Sequence, residues 1–226
     1  MHYHVTKESG MNREAIESVY SRVFRKNHEA DGLAILSFGA TMDSRRLRKY
    51  MVALKRGMSQ KCKEAFNAAL DYYWLARFDQ QETTKFHRDN APKDSYLLLG
   101  YEPTKIESKL LFADYHQLIA EYGISADEYY EAYNPMFKDG AQRLKPYTRE
   151  VEAFDSNAYQ IVVINNSGLD SDQTLGVLHK AEIIRKDLNQ PRIVNSMMLC
   201  LKPLNEPNKL PEEAEAAFVE TDEISR

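Results

Sequence analysis

The apolar positions change period along the chain, and the changes divide it. Ala15, Ile16, Val19, Tyr20, Val23 and Phe24 recur at three- and four-residue spacing, which predicts an amphipathic helix over 11–29. Asp31-Gly32 marks a turn, and Leu33-Ala34-Ile35-Leu36-Ser37-Phe38 reads as a short strand. Asp43 is an N-cap candidate for a helix with Leu47, Tyr50, Met51 and Leu54 on one face. A further helix is expected from Ser59 through Ala65, Phe66, Ala69 and Leu70.

Beyond residue 70 the texture becomes strand-like. Tyr72 to Phe78 is aromatic-rich, and Asp94 to Tyr101 is a second strand, stopped by Pro103. Lys109-Leu110-Leu111-Phe112 is a third. Residues 113–133 return to helix, with Ser125 and Glu128 spaced as a capping box. Pro135, Gly140 and Pro146 make 134–147 read as a loop. Strands are then expected at 148–154, Tyr159 to Ile164, Leu175 to Ile184 and Arg192 to Leu201, separated by Asn- and Pro-containing turns. From Lys202 the chain is rich in acids and prolines and is expected to be loosely attached. The pattern is mainly β with flanking helices: an N-terminal helical layer on a barrel or sandwich, with one helical insertion. One domain is expected over 1–201, with 202–226 as an acidic, Pro-containing tail.

Composition narrows the class. The 226 residues are 43% hydrophobic and 28% charged, which suits a single globular domain and excludes a disordered or collagenous chain. No apolar run is long enough to span a bilayer. The start of the chain lacks a basic region followed by an apolar stretch, and two cysteines, Cys62 and Cys200, do not make a disulfide framework. A reduced, cytoplasmic setting is expected. The net charge of −4 and the lack of a long basic block disfavour nucleic acid as a partner.

Candidate chemistry centres on histidine. Of six, His2, His4 and His28 sit in polar, peripheral segments, and His116 falls in the insertion helix. His87 and His179 sit at strand edges. His87-x-Asp89 in extended backbone puts an imidazole and a carboxylate on one side, because the strand period is two. Such a pair either binds one metal ion or is a solvated loop pair. A distal strand carries His179, and Arg192 opens the last strong strand. Two histidines and a carboxylate form a facial triad suited to non-haem Fe(II). An arginine on a neighbouring strand suits a fixed dicarboxylate, since its planar fork binds a carboxylate bidentately and keeps its charge.

His87-x-Asp89, the distal His179 and Arg192 after it together resemble the Fe(II)/2-oxoglutarate-dependent dioxygenases, over roughly residues 30–201. Leu111-Phe112-Ala113-Asp114 before a helix is similar to a phrase in the taurine dioxygenase and clavaminate synthase branch. Three positions depart from known branches. Leu110 stands where that branch has Thr, and Ser196 where it has a second Arg; Val194 stands where other branches have Ser. The resemblance implies a double-stranded β-helix (jelly-roll) and Fe(II) held by His87, Asp89 and His179. It also implies 2-oxoglutarate as co-substrate on Arg192, with Ser196 lining the pocket and Tyr96 a further candidate donor. O2 and a small-molecule or amino-acid-like substrate would be the other partners, and hydroxylation or a related oxidation the outcome. Two other readings stand beside this one: a jelly-roll binding module, and a cupin-type metal enzyme that does not use 2-oxoglutarate. Substrate and oligomeric state are not legible.

Other residues carry double readings. Tyr73 and Arg77 share a strand face with Leu75, opposite Trp74, and either line a pocket or supply core packing and an edge salt bridge. Asn165 and Asn166 either orient the ligands or serve a turn needing positive φ. Lys85 and Arg88 either steer an anion or are solvated. Cys62 and Cys200 read as small buried hydrophobes.

Overall fold

The computed structural model describes residues 2–4 and 11–225. Met1, residues 5–10, Arg226 and the side chains of His2, Tyr3 and His4 lie outside the described residues, as does the reading of a signal-free N-terminus. The elements run β1 (His2–His4), α1 (Arg13–Val23), β2 (Leu33–Ser37), α2 (Ser44–Phe66), β3 (Ala68–Asp79), β4 (Ser95–Tyr101), β5 (Glu107–Ala113) and α3 (Tyr115–Tyr122). They continue with α4 (Ala126–Glu128), a π turn (Tyr129–Tyr133), α5 (Lys138–Leu144), β6 (Thr148–Glu150), β7 (Gln160–Asn165), β8 (Leu178–Arg185), β9 (Ile193–Pro203) and α6 (Glu213–Glu220).

The strands form two sheets. The larger has the order β1-β2-β7-β4-β9-β3, antiparallel except where β1 runs beside β2; the smaller has the order β6-β5-β8. One face of the large sheet (Ala34, Leu36, Leu98, Val163, Met197) packs on α1, α2 and α6. Its other face (Ile35, Leu97, Leu99, Val162, Val194) meets Leu110, Phe112 and Ala181 of the small sheet. From β3 onward the chain crosses between the sheets, and an irregular segment at 84–87 pairs with the small sheet through β8.

Several boundaries differ from the pattern-based expectation, each for a local reason. Asp43 does cap α2, accepting from the Arg46 backbone N–H at 2.8 Å. But α2 is one helix, not two, because Leu47, Met51, Leu54, Met58 and Cys62 keep a single stripe buried through Gly57. That glycine permits the helix crossing: a Cβ there would lie 2.4 Å from the Ile16 side chain. Ala69 and Leu70 belong to β3, which starts after Asn67 closes α2 in the left-handed conformation. A bulge between Tyr72 and Trp74 breaks the alternation of β3. Tyr72 and Leu75 therefore face the helices, and Tyr73, Trp74 and Phe78 face the small sheet. The capping box at Ser125 and Glu128 forms, but the helical insertion is broken at Gly123. The segment 134–147 holds α5 rather than a plain loop, and Pro146 sits in the first turn of a 3-10 helix, where a missing N–H costs little.

The acidic tail is not loose. β9 runs to Pro203, and α6 seats Phe218 and Val219 in the helical-side core. The buried Arg48 guanidinium donates to the backbone carbonyls of Val219 and Thr221, at 3.0 and 2.8 Å from Nη2. Charge at the tail's surface hid two apolar residues that, with the Arg48 bonds, dock it. No helix among the described residues is long and apolar enough to cross a membrane.

Because Phe218 is almost fully buried, Phe218→Ala is expected to cost about 3 kcal/mol or more. Urea unfolding of the two proteins measures this; equal midpoints would mean that the tail contributes no core.

Candidate metal centre

The segment Thr84–His87 is laid against β8 by backbone bonds. His87 N–H donates to the His179 carbonyl at 3.1 Å and His179 N–H returns to the His87 carbonyl at 2.9 Å. Thr84 N–H donates to the Ala181 carbonyl at 2.9 Å, and its hydroxyl accepts from the Ala181 N–H. This cross-strand pair sets the two imidazoles side by side, with ring centroids 4.3 Å apart. Asp89 joins them: one donor atom from each of His87, Asp89 and His179 lies within 4.8 Å of the others.

Each ligand candidate is held by its surroundings. The His87 Nδ1 lies 2.8 Å from the Lys85 carbonyl, which can only accept, so Nδ1 carries the proton and Nε2 points at Asp89, 3.3 Å away. Asn166 grips the Asp89 backbone at both ends, its Oδ1 accepting from the Asp89 N–H at 2.8 Å and its Nδ2 donating to the Asp89 carbonyl at 3.1 Å. Its Nδ2 also reaches the Ser95 hydroxyl at 2.9 Å. Arg88 is a staple rather than a solvated charge, donating to the carbonyls of Asn166, Ala91 and Pro92. Neither Asn165 nor Asn166 has positive φ, so the turn explanation falls away. Asn165 instead ties β7 to the end of α1 through the Val23 carbonyl.

Protonation follows burial and neighbours. Burial opposes charge on His179, the adjacent His87 adds to that, and its pKa falls despite Asp89. Burial also works against a charged His87, but hydrogen bonds to Asp89 and Lys85 outweigh it and its pKa rises. At Asp89 burial favours the acid form, yet the His87 hydrogen bond and the nearby His179, His87 and Arg88 hold it below its usual range. The group is therefore an ionised carboxylate between two imidazoles. His179 Nδ1 is buried without a hydrogen-bond partner. Two imidazole nitrogens and a carboxylate, one nitrogen orphaned, fit a divalent transition metal.

These side chains line a cavity of about 190 Å³ whose other walls are mostly apolar, among them Leu97, Leu99, Val162 and Ile164. Ser196 lines it too, as expected, and accepts a hydrogen bond from the Trp74 indole N–H at 3.3 Å. Arg192 is 1% exposed and lies over the Tyr101 ring, 4.9 Å from its centroid, and that ring is part of the cavity wall. Its Nε donates to the Ser108 hydroxyl at 3.1 Å and its Nη1 to the Gln80 side chain, while Nη2 is buried and unpartnered.

Tyr96, expected as a co-substrate donor, is not in this cavity. On β4 the residues Leu97, Leu99 and Tyr101 face the small sheet, so Tyr96 faces the helices. It stacks on Phe24 at 4.0 Å and its hydroxyl meets Thr174 at 3.0 Å. The two-residue period points to Tyr101 instead. Gln80 and Ser108 carried no sequence signal; their contact with Arg192 is purely tertiary. Arg77 faces away from the cavity and pairs with Glu102 at 3.2 Å, which is the edge salt bridge of its alternative reading. His28 is more engaged than a peripheral histidine, with Nδ1 3.0 Å from Asp114.

No family model matches the chain, and no curated protein matches it. Among solved structures it is similar to the crystal structure of the non-heme iron oxygenase OrfP in complex with Fe. The identity is 12%, the TM-score 0.46, and the match covers 90% of this chain and 94% of that one. A likeness of that degree decides nothing about chemistry, which the side chains themselves must carry.

The Asn166 clamp predicts that Asn166→Ala keeps the fold by circular dichroism but weakens Fe(II) binding roughly 10- to 100-fold, the usual range for a lost outer support. Unchanged affinity in a competition titration would mean that Asp89 holds itself. A second expectation concerns His116, whose Nε2 is buried and unpartnered and whose pKa burial pushes down to about 4. A depressed histidine contributes stability fully above its unfolded value, near 6.5, and loses it as pH falls toward 4. His116→Leu should therefore flatten the decline in urea stability between pH 6.5 and 4 while changing little at pH 8. An unaltered slope would show that His116 is not a source of that decline.

Proposed function

We propose that this chain is a non-haem iron oxygenase that couples oxidative decarboxylation of 2-oxoglutarate to oxidation of a small molecule. The observation that carries the reading is one cavity with two kinds of polar equipment. It has the His87–Asp89–His179 donor group, and against its Tyr101 wall a buried arginine with a free N–H edge. We read the two facing sheets, with the chain crossing between them from β3 onward, as a jelly-roll.

His87, Asp89 and His179 would hold Fe(II), which when bound supplies O2 activation linked to conversion of 2-oxoglutarate to succinate and CO2, and so the oxidation of a substrate C–H bond. The chain's own residues prepare that chemistry. Lys85 fixes the His87 tautomer through its carbonyl, so the Nε2 lone pair faces the site without rotation of the ring. Arg192 would take the far carboxylate of 2-oxoglutarate on Nη2, held in place by Ser108, Gln80 and the face of Tyr101. The aliphatic walls keep water from the reacting centre. Asp89 keeps a carboxylate in the ligand set, which favours hydroxylation or a related oxidation.

The test needs no substrate. Metal-free protein is loaded with Fe(II) without oxygen and titrated with 2-oxoglutarate, following the weak visible charge-transfer absorption of an iron–keto acid pair. A saturable band is expected, lost in His179→Ala and weakened in Arg192→Ala. Iron binding without a band points to a cupin-type metal enzyme, and no iron binding to a binding module.

A further inference from the structure

Beside the metal cavity lies an open groove that shares Thr84 and Lys180 with it. One wall is the segment Thr83–Phe86, which leads directly into His87. The other is the turn Pro135–Phe137 between the π turn and α5, with Lys138 and Ala141 of α5 beside it. The groove therefore adjoins the cavity on the side of the helical insertion.

Its composition is unusual for a surface. Phe137 is 62% and Met136 52% exposed, both facing a groove that also includes Phe86. Scattered exposed apolar residues need no explanation, but these sit together beside a candidate reaction centre. Three lysines, Lys85, Lys138 and Lys180, line the groove, and no acidic residue does. Lys180 is paired with Glu182 at 3.1 Å. Lys85 is not compensated by an acid, since its ammonium donates to the neutral Met136 carbonyl at 2.9 Å.

The turn that presents Met136 and Phe137 is fixed rather than adaptable. Met136 N–H donates to the Asn134 side chain at 2.9 Å, Phe137 N–H to the Asn134 carbonyl at 3.0 Å, and Lys85 ties the Met136 carbonyl from across the groove. Gly140 lets α5 close over this turn: a Cβ there would lie 2.2 Å from the Asn134 carbonyl oxygen. Backbone groups are thus spent on holding the turn, and the apolar side chains are left outward on a preformed platform, which lowers the ordering cost of binding.

We propose that this groove takes an amphipathic anion, a small molecule with an apolar body lying on Phe86, Met136 and Phe137 and a carboxylate held by Lys85 and Lys138. On the oxygenase reading above, on which this step rests, that anion is the molecule oxidised. Apolar contact supplies the affinity, and the lysines choose the sign of the head group.

Calorimetric titration of the full-length protein tests this, metal-free and Fe(II)-loaded without oxygen, with 2-oxoglutarate present to fill the Arg192 site. The probes are 4-phenylbutyrate, 4-phenylbutan-1-ol and 4-phenylbutylamine. The carboxylate is expected to bind roughly tenfold more tightly than the alcohol, the scale of two exposed charge pairs, with the amine weakest. The preference should shrink as salt is raised. The double variant Lys85→Glu/Lys138→Glu should erase it, and Phe137→Ser should weaken all three probes. Equal binding of alcohol and carboxylate, or a preference that survives charge reversal, overturns the proposal. The metal-free arm separates the two readings. Selective binding in the metal-free protein, together with no charge-transfer band in the Fe(II)-loaded protein, would sink the oxygenase and leave the anion groove standing.

Discussion

The candidate centre depends on one short antiparallel contact, the reciprocal backbone pair between His87 and His179. The first lies in an irregular segment and the second in a regular strand, so sheet pairing alone would not have guaranteed their approach. Two backbone hydrogen bonds set the imidazoles at cross-strand distance. Everything else at the site serves that contact. Thr84 extends the pairing, Lys85 orients one ring, and Arg88 and Asn166 fasten the chain where it turns away toward β4.

A metal site of this kind needs the rest of the sandwich for two further reasons. Donor groups must be partly desolvated if their protonation is to be poised, and burial does this for His179. The proposed reading also asks for a positive charge at a fixed place beside the cavity. Arg192 lies behind the Tyr101 wall, just ahead of β9, where the face of that ring and the Ser108 hydroxyl hold an almost fully buried guanidinium. The large sheet thus has two jobs. Its outer face binds the helices through Tyr96, Leu98 and Met197, and its inner face builds the cavity through Leu97, Leu99 and Tyr101.

That division explains which residues were legible. The ligand candidates were, because a His-x-Asp spacing, a distal histidine and a following arginine are local marks on recognisable strands. Ser196 was, because β9 keeps its alternation from Val194 through Met198. Tyr96 was misplaced by one residue, and in a strand one residue is the whole difference between cavity and core. The bulge at Tyr73 had the same effect on β3, moving Tyr73 to the face of Trp74. The tail was misread because its acids dominate its composition, while Phe218 and Val219 decide its position.

By itself the sequence determined most of the element types, the capping of α2 by Asp43, the apolar stripes and the candidate donor set, since these follow from periodicity and from the chemistry of single side chains. Only the tertiary structure decided which strand faces line the cavity, that Tyr101, Gln80 and Ser108 meet Arg192, and that Asn166 holds Asp89. It also decided that the 134–138 turn stands beside the metal cavity. Those facts join residues far apart in the chain, and a contact between distant residues is fixed by the register and packing of whole sheets, which no local pattern records.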